Sequence, residues 1–595
     1  MAAGDLAGLD RKAMEEARLA RLGVKRERSI SPPAGRDARK APRLDVQEST
    51  VSLPSGAKLK SFSSTVDGEQ RGRKSQSANA ASQHLKQPHG TSEPSTHPEI
   101  TMSEHNSLQY PTGIVKRTWA FGFERSGDDV KLEEVLEPGT LRTAVLSAFQ
   151  WDADWVLSKL KLPPNGGITK VILVMQAKED SLRRQMIEQT KDASYYLRLC
   201  FPRMDGQIWC MHSKLMLLFH PDKLRVAIPT ANLLNFDWGE TGVMENSVFM
   251  IDLPRLPDGS NVDATERNAF CNELLYFLEK QDLDEDIMTG VLNFDFSATD
   301  GMAFVHTFGG TNLGDDAGRT GLSGLARAVR QLKLQSDSRL EIDFASSSAG
   351  ALNDDQLRNM HAAARGVDMI QRANGATSKA KLDFFKPAAT KSASSEVSIG
   401  DKVRIYFPTY ETVRASRAGA AGTICFSRKW WEEMKFPRNS FRDYQSTRSG
   451  LLSHNKILYA RGKQQSVDGA SRDVAWVYVG SANVSESAWG KLGHDNKAKG
   501  WKTNCRNWEC GVLLPVREEK LAQFSNQESK EIVKKEKVAG EDSETESEDE
   551  AVAEGNTTSS KIMEIEVFDD LFKPPFQIPG QAYGDREPWY FQEYQ

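Results

Sequence analysis

The 595-residue chain lacks most of what would place it outside the soluble globular class. Its six cysteines (Cys200, Cys210, Cys271, Cys425, Cys505 and Cys510) are too few for a disulfide framework, and no C-x-x-C pair is present to suggest a thiolate zinc site. No apolar run approaches the roughly 18–20 residues that cross a bilayer. The opening stretch, MAAGDLAGLDRKAMEEARLARL, carries charges where a secretory signal would be apolar, so a soluble intracellular protein is expected. A basic excess is missing as well. Lys and Arg number 77 against 82 Asp and Glu, a net charge of −5, which excludes a histone-like protein but leaves local patches open.

Aromatic residues are almost missing from residues 1–105, which are rich in Ser, Pro, Gln, Lys and Arg. Such a stretch cannot bury enough apolar surface to offset its chain entropy, so a disordered regulatory tail is expected. Within it, Asp10 to Leu22 has a helical pattern that suits either a partner-binding helix or a transient solvated one. The clusters KRERSISPP (Lys25 to Pro33) and RDARKAPR suit a nuclear-import signal under phosphorylation control, or simply a solubilising tail. A second break, about 525–560, centres on the self-repelling acidic block EDSETESEDE (Glu541 to Glu550), where Ser543 and Ser547 are candidate phosphorylation sites. Order is expected to return at Ile562. The remaining residues, on the order of 440, suit two sizeable domains, drawn at 106–335 and 336–595.

Within that region short apolar runs alternate with helical patterns. VILVMQA (171–177), LMLLFH (215–220), LRVAIPT (224–230), SVFMIDL (247–253), LEIDFAS (340–346), KILYAR (456–461), VAWVYVG (474–480) and CGVLLPV (510–516) read as buried strands. GLSGLARAVRQLKL (321–334) reads as a helix. Near-continuous apolar strands interleaved with helices indicate an α/β fold whose sheets are covered on both faces.

One string of residues occurs twice. The first copy reads His212-Ser-Lys214, Pro-Thr-Ala-Asn232-Leu, Trp238-Gly239 and Glu245-Asn-Ser-Val-Phe; the second reads His454-Asn-Lys456, Gly-Ser-Ala-Asn483-Val, Trp489-Gly490 and Glu509-Cys-Gly-Val-Leu. Asn and Trp are six residues apart in both, while His and Asn are separated by 20 and by 29, a difference ascribed to a polar loop around Gln464 to Arg472. This is an internal duplication. On a strand, His and Lys at i and i+2 face the same side, and each Asn follows the end of the next strand, where α/β sheets bind ligands. Packed about a pseudo-twofold axis, the copies would assemble two His, two Lys, two Asn and two Glu.

Singly, each element has a plainer reading: a satisfied histidine beside a solvated lysine, or an Asn that makes a turn. Recurrence of the whole string in one order favours chemistry. Two lysines and two asparagines suit a phosphate whose charge builds up during reaction. One neutral imidazole can attack phosphorus while the other, protonated, serves the leaving oxygen. A buried glutamate on the far nitrogen of a histidine would fix its tautomer. No carboxylate cluster resembles a two-metal site, and no metal or cofactor is expected. Trp238 and Trp489 read as packing residues.

At these residues the sequence resembles the phospholipase D superfamily, whose H-x-K is followed, after four residues, by Asp. Phe219 and Arg461 stand there instead. With Asn232 and Asn483 downstream, the departure resembles the tyrosyl-DNA phosphodiesterase 1 family in particular, over about residues 110–520 plus GQAYGDREPWYFQ. SSSAGAL (346–352), RIYFPTYETVRAS (404–416) and SANVSESAWG (481–490) are further family-like stretches. The resemblance implies two phospholipase D-like α-β-α sandwich domains related by a pseudo-twofold. It also implies a DNA-repair hydrolase that removes tyrosine, or a tyrosyl peptide of topoisomerase I, from the 3′-phosphate of DNA. By the same resemblance His212 is the nucleophile and His454 the general acid and base. Lys214, Lys456, Asn232 and Asn483 hold the nonbridging oxygens and Glu509 orients a histidine. Glu245 is the first-half match to Glu509. Ser347, Ser348 and Ser485 donate to DNA phosphates, and Trp209 stacks on a base at the mouth of the site.

From Phe426 to Arg448, five basic residues (Arg428, Lys429, Arg438, Arg442, Arg448) interleave with Trp430, Trp431, Phe436, Phe441 and Tyr444. The pattern suits either a single-stranded nucleic acid surface or ordinary core. GGTNLG (309–314) imitates a phosphate loop, but Asp315 and Asp316 follow where Lys and Ser/Thr are needed, so a flexible loop is expected. The expected partner is DNA, single-stranded or at 3′ or blunt duplex ends, and not a membrane. The expected location is the nucleus, and the expected state a monomer, because one chain supplies the whole set. The alternatives are another superfamily nuclease or lipase, or a non-catalytic DNA-binding scaffold.

Overall fold

The computed structural model describes residues 108–160, 169–257, 260–375, 398–419, 424–465, 471–524 and 562–591. It also describes two short strands, Ser49–Ser52 and Lys58–Ser61, paired antiparallel and joined to no other sheet. The rest of the expected tail, with Asp10 to Leu22 and the basic clusters, lies outside the described residues, as does the acidic block Glu541 to Glu550.

Two large sheets dominate. The first contains β1 (Ile114–Thr118), β2 (Asp129–Val130), β3 (Thr143–Ser147), β4 (Lys170–Val174), β5 (Leu197–Cys200), β6 (Leu215–Phe219), β7 (Lys223–Pro229) and β8 (Ser247–Pro254). Its order is β2-β1-β8-β7-β6-β3-β4-β5. The second contains β9 (Ala303–Thr307), β10 (Glu341–Ser346), β11 (Val403–Phe407), β12 (Phe441–Asp443), β13 (Lys456–Gln465), β14 (Ser471–Gly480) and β15 (Asn507–Pro515), in the order β9-β15-β14-β13-β10-β11-β12. Setting β2 aside, the two orders match strand for strand. So does the sense of every pairing, antiparallel from β1 through to β3 and from β9 through to β10, then parallel. The duplication seen in the motifs extends to the whole topology.

The chain enters the second sheet at Ala303, ahead of the boundary drawn at 335/336. The helix Gly321–Gln331, read from the sequence as part of the first half, buries Leu325, Ala326, Ala328 and Val329 in the outer core of the second sheet. The strand that opens this half, AFVHT, is too short to stand out beside its longer neighbours.

Strand alternation builds three cores. On β7, Leu224, Val226 and Ile228 enter a core shared by both sheets, while Ala227 faces outward. On β8, Phe249, Ile251 and Leu253 face inward, and Val248 and Met250 outward. The second sheet repeats this with Ile457, Tyr459, Val477 and Val479 inside and Leu458, Ala460, Trp476 and Tyr478 outside. Helices Ala269–Lys280 and Glu285–Val291 add Phe270, Leu274 and Ile287 to the shared core. Each such aliphatic or aromatic side chain contributes about 1.5–3 kcal/mol by leaving water, so the two halves are bound as one body. The C-terminal stretch strengthens this. Val567, Phe568, Phe572 and Phe576 fill the shared core, and Tyr583, Trp589 and Tyr590 the outer one, so the segment that follows Ile562 is folded into the body.

Two local expectations change. GGTNLG is no loop: Gly310–Leu313 is a strand paired with Gly500–Cys505 in a three-stranded sheet. The longer His-to-Asn spacing of the second copy comes largely from strand, since β13 and β14 run ten residues each where β6 and β7 run five and seven. Among the described residues no helix is long and apolar enough to cross a membrane.

Candidate active site

The two H-x-K motifs sit at the starts of β6 and β13, the second strand of each antiparallel hairpin follows, and each Asn comes just after it. A hairpin brings the start of its first strand beside the end of its second, so His, Lys and Asn of each half meet at one sheet edge. The motif does not lie on a continuous strand, as the i, i+2 argument supposed. His212 falls between the short strand Cys210–Met211 and β6, and His454 between Leu452–Ser453 and β13. These short strands bind the halves together by parallel pairing: Met211 lies opposite Trp508, and Ser453 opposite Glu245.

Both lysines are fully buried, and each folds back on its own motif. Lys214 Nζ donates to the carbonyl of His212 at 2.8 Å, and Lys456 makes the same bond to His454. His212 turns Nδ1 to Glu509 Oε2 at 2.8 Å. Glu509 also accepts from Ser481 Oγ and from Asn507 Nδ2, so its orientation is fixed by the strand that carries it. With Nδ1 occupied, Nε2 is the nitrogen of His212 left for chemistry. The ring of Phe149 lies 5.3 Å from that of His212 and limits its tilt.

The second histidine faces a carboxylate the sequence did not reveal. His454 Nδ1 stands 3.2 Å from Oδ2 of Asp237, an oxygen that also accepts from the Asn232 N–H at 2.7 Å. Glu245, expected in this role, points elsewhere: it accepts from Ser446 Oγ and pairs with Arg448 at 2.7–2.8 Å. The reason is register. Because Glu245 lies opposite Ser453 as Trp508 lies opposite Met211, the true counterpart of Glu509 is Asn246. Asn246 accepts from Thr230 Oγ1, just as Glu509 accepts from Ser481.

Asn483 Oδ1 accepts from the Ser348 N–H at 3.1 Å and from Ser346 and Ser347 hydroxyls. An N–H can only donate, so the amide orientation is fixed and Nδ2 is presented as a donor. Asn232 is held more loosely, with Gln150 at 3.4 Å on both ends of its amide. Ser347 and Ser348 thus bind Asn483 in this structure. Ser485 caps the helix Glu486–Trp489 by accepting from the Ala488 N–H. Trp209, half-buried, lies under the guanidinium of Arg506 at 4.4 Å.

Electrostatics join the two halves. Burial lowers His212 to about 4, with Lys214 and Lys456 acting in the same sense and Glu509 opposing them. Burial lowers His454 to about 3, helped by both lysines and opposed by Asp237. Lys214 falls to about 8 through burial, and Lys456 falls well below its ordinary value through burial and the nearby Lys214. Asp237 stays low despite its burial, because of His454. Buried ammonium groups within electrostatic reach of one another disfavour their own charge, and an anion beside them relieves that cost. Such a site is built for a phosphate with two imidazoles beside it. Among the described residues no group of three His, Cys, Asp or Glu side chains is placed to hold a metal ion.

The family profile described as tyrosyl-DNA phosphodiesterase matches residues 114–584. The chain belongs to the tyrosyl-DNA phosphodiesterase family. It is a phosphodiesterase. Tyrosyl-DNA phosphodiesterase 1 of Arabidopsis thaliana is 25% identical over 491 residues, covering 77% of this chain and 71% of the relative. The Drosophila melanogaster protein of the same name is 24% identical over 397 residues, covering 65% of this chain and 63% of the fly protein. The crystal structure of yeast tyrosyl-DNA phosphodiesterase matches at 18% identity with a TM-score of 0.45, over 67% of this chain and 89% of that one.

This family member differs from the superfamily motif where the sequence said it would. Arg461, in the place of the second aspartate, pairs with Asp343 at 2.9 Å and donates to the carbonyl of Met563. Phe219 packs against Phe294. The aromatic residues from Phe426 to Tyr444 resolve as core: Trp430, Trp431, Phe436, Phe441 and Tyr444 are all buried, several against Tyr583 and Tyr590. They offer no stacking face to a nucleic acid. Arg428 pairs with Glu587, Arg442 caps its own backbone, and Arg448 serves Glu245.

Proposed function

We propose that this family member hydrolyses the phosphodiester that joins a tyrosine, or a tyrosyl peptide of topoisomerase I, to the 3′ end of DNA. It leaves a 3′-phosphate, works through a phosphohistidine and acts in DNA repair. The observation that carries the reading is the paired set itself: two buried His-x-Lys motifs, each with a carboxylate beside the Nδ1 of its imidazole so that Nε2 is left over, and both lysines in electrostatic reach of both rings.

In the first step the Nε2 lone pair of His212 forms a bond to phosphorus as the bond to the tyrosine oxygen breaks, and protonated His454 gives its proton to that oxygen. In the second, neutral His454 takes a proton from water, whose oxygen bonds to phosphorus as the P–N bond breaks; His212 is regenerated. Lys214, Lys456, Asn232 and Asn483 donate to the nonbridging oxygens, and their charge and dipoles oppose the negative charge that grows there. Burial and the two lysines favour neutral histidines at pH 7; the phosphodiester charge supports the proton that His454 needs. Ser347, Ser348, Ser485 and Trp209 belong to the DNA side of this reading, the nucleus is its expected location, and a single chain suffices for it.

Purified protein in EDTA, with a single-stranded oligonucleotide bearing a 3′-phosphotyrosine, tests the proposal beside His454→Ala. Conversion to the 3′-phosphate by wild type, with a protein–DNA adduct retained by the variant, is the expected result. Intact substrate, or internal cleavage of the oligonucleotide, would overturn it in favour of a nuclease or lipase.

A further inference from the structure

The two halves match in strand order, pairing sense and motif, yet differ at the one point where each orients its histidine. In the second half the last strand supplies a carboxylate, Glu509, at the residue that follows the bridge to Met211. In the first half the equivalent residue is Asn246, which is neutral, buried, and already bonded to Thr230 and to the carbonyl of Asp237. A carboxylate reaches His454 instead from the turn after β7. Its position, five residues past Asn232 and just before Trp238, is occupied in the second half by Ala488. Asp237 is fully buried, and its Oδ1 has no hydrogen-bonding partner in the protein; nor has His454 Nδ1, whose N–H is off the line to Oδ2. A buried carboxylate and a buried imidazole nitrogen 3.2 Å apart, each short of a partner, are poised to bond once the ring carries a proton.

We infer that Asp237 is the positioning residue of His454, having taken over by relocation the task that Glu509 performs for His212. The inference rests on the reading of His454 as the acid and base of the reaction. Asp237 does not touch the substrate. It aligns the imidazolium in the first step and supports the ring's uptake of a proton from water in the second. The other charged groups that face His454 are Lys456, at the start of its own strand, and Lys214, at the start of β6; both oppose a proton on the ring. Asp237 opposes them, and Glu509 acts on both lysines.

The test compares wild type, Asp237→Asn and the double variant D237N/N246E, in which the second change returns a carboxylate at the position mirroring Glu509. Single-turnover cleavage of a 3′-phosphotyrosyl oligonucleotide is measured against pH, and again with p-nitrophenol, a far more acidic phenol, as leaving group. D237N is expected to slow tyrosine release about 10²–10⁴-fold, with its alkaline limb moved down by about 1–3 pH units. With p-nitrophenol the first step should recover to near the wild-type rate while the protein–DNA adduct accumulates, because that leaving group needs no acid and only the water step still does. N246E should restore at least part of the tyrosyl activity and clear the adduct. A merely structural loss would slow both leaving groups alike, and that result overturns the inference, as does a D237N enzyme with wild-type rates and limb. If D237N fails to fold, the double variant decides: a folded but equally slow protein with no leaving-group dependence refutes the role. Failure of wild type itself to release tyrosine would sink the underlying reading and not this residue alone.

Discussion

Replacing Glu509 by glutamine probes His212 as the proposed nucleophile. The carboxylate lies 2.8 Å from Nδ1 of His212 and is held by Asn507 at 2.9 Å and by Ser481. At an effective dielectric of about 20, opposite charges at that separation attract by about 6 kcal/mol. Only the part that grows as His212 becomes positive during attack affects the rate, and the amide retains some of it as a dipole. Taking half leaves about 3 kcal/mol, or about two orders of magnitude. A second effect adds to this. Asn507 donates to Oε1, so it claims the amide oxygen there and leaves the NH₂ in the place of Oε2, facing the ring, with the Ser481 hydroxyl turned to accept; Nδ1 must then accept as well, and the proton moves to Nε2, the atom proposed to attack. Loss of the correct tautomer costs up to about 10⁴-fold where a carboxylate–imidazole pair has been broken in this way. The expected loss is therefore about 10²–10⁴-fold in the first step. Rapid-quench single turnover with the 3′-phosphotyrosyl oligonucleotide measures it, and thermal unfolding shows that the variant is folded. A folded variant less than about tenfold slower would refute the electrostatic and tautomer arguments together.

Four further outcomes follow from the geometry. Because burial lowers Lys214 to about 8, affinity for a phosphate analogue should weaken as pH rises through that value, and isothermal titration at several pH values checks it. Glu245→Gln leaves Arg448 buried without its carboxylate, so unfolding in denaturant should show a loss of about 3–5 kcal/mol. Trp431→Ala should cost about 3–5 kcal/mol in the same assay, with the affinity of the folded protein for single-stranded DNA unchanged; a DNA-binding defect without instability would return this tryptophan to the surface. His361 donates its Nε2–H to the carbonyl of Leu340 and is lowered to about 4 by burial. The unfolded chain takes the proton first, so this stability is complete above about pH 6.5 and falls as pH drops toward 4, by an order of 3 kcal/mol. Substitution of His361 by Gln should flatten that part of the stability–pH curve.

Most of the frame was legible because buried strands are written plainly. LRVAIPT and SVFMIDL have no polar face to spare, and they lie where expected, covered on both sides. His212, Lys214, Asn232 and their second-half equivalents were legible because they recur. Asp237 was hidden for the same reason: repetition highlights what the halves share, and here they differ, with Ala488 in the equivalent place. Glu245 misled because two glutamates in similar strings attract an alignment, whereas the backbone register pairs Asn246 with Glu509. The segment of Trp430 and Trp431 left core and nucleic-acid surface open, because only part of what covers Trp431 is local. Phe426, Phe436 and Phe441 pack on it from its own segment, but Tyr583 comes from some 150 residues away in sequence and beyond the acidic block.

Each histidine takes its carboxylate from the opposite half of the molecule: Glu509 reaches across to His212, and Asp237 to His454. In an enzyme that works through a covalent histidine, the dangerous failure is a partial one, where attack proceeds but release does not and one lesion on DNA is exchanged for another. Had each half kept its own imidazole and its own carboxylate, loosening of the second half would disable His454 and leave His212 armed. With the carboxylates exchanged, parting of the halves at Met211 and Trp508 or at Glu245 and Ser453 strips both rings of support in one event. On the proposed phosphohistidine mechanism, the opened molecule would be inert and would not trap itself on its substrate.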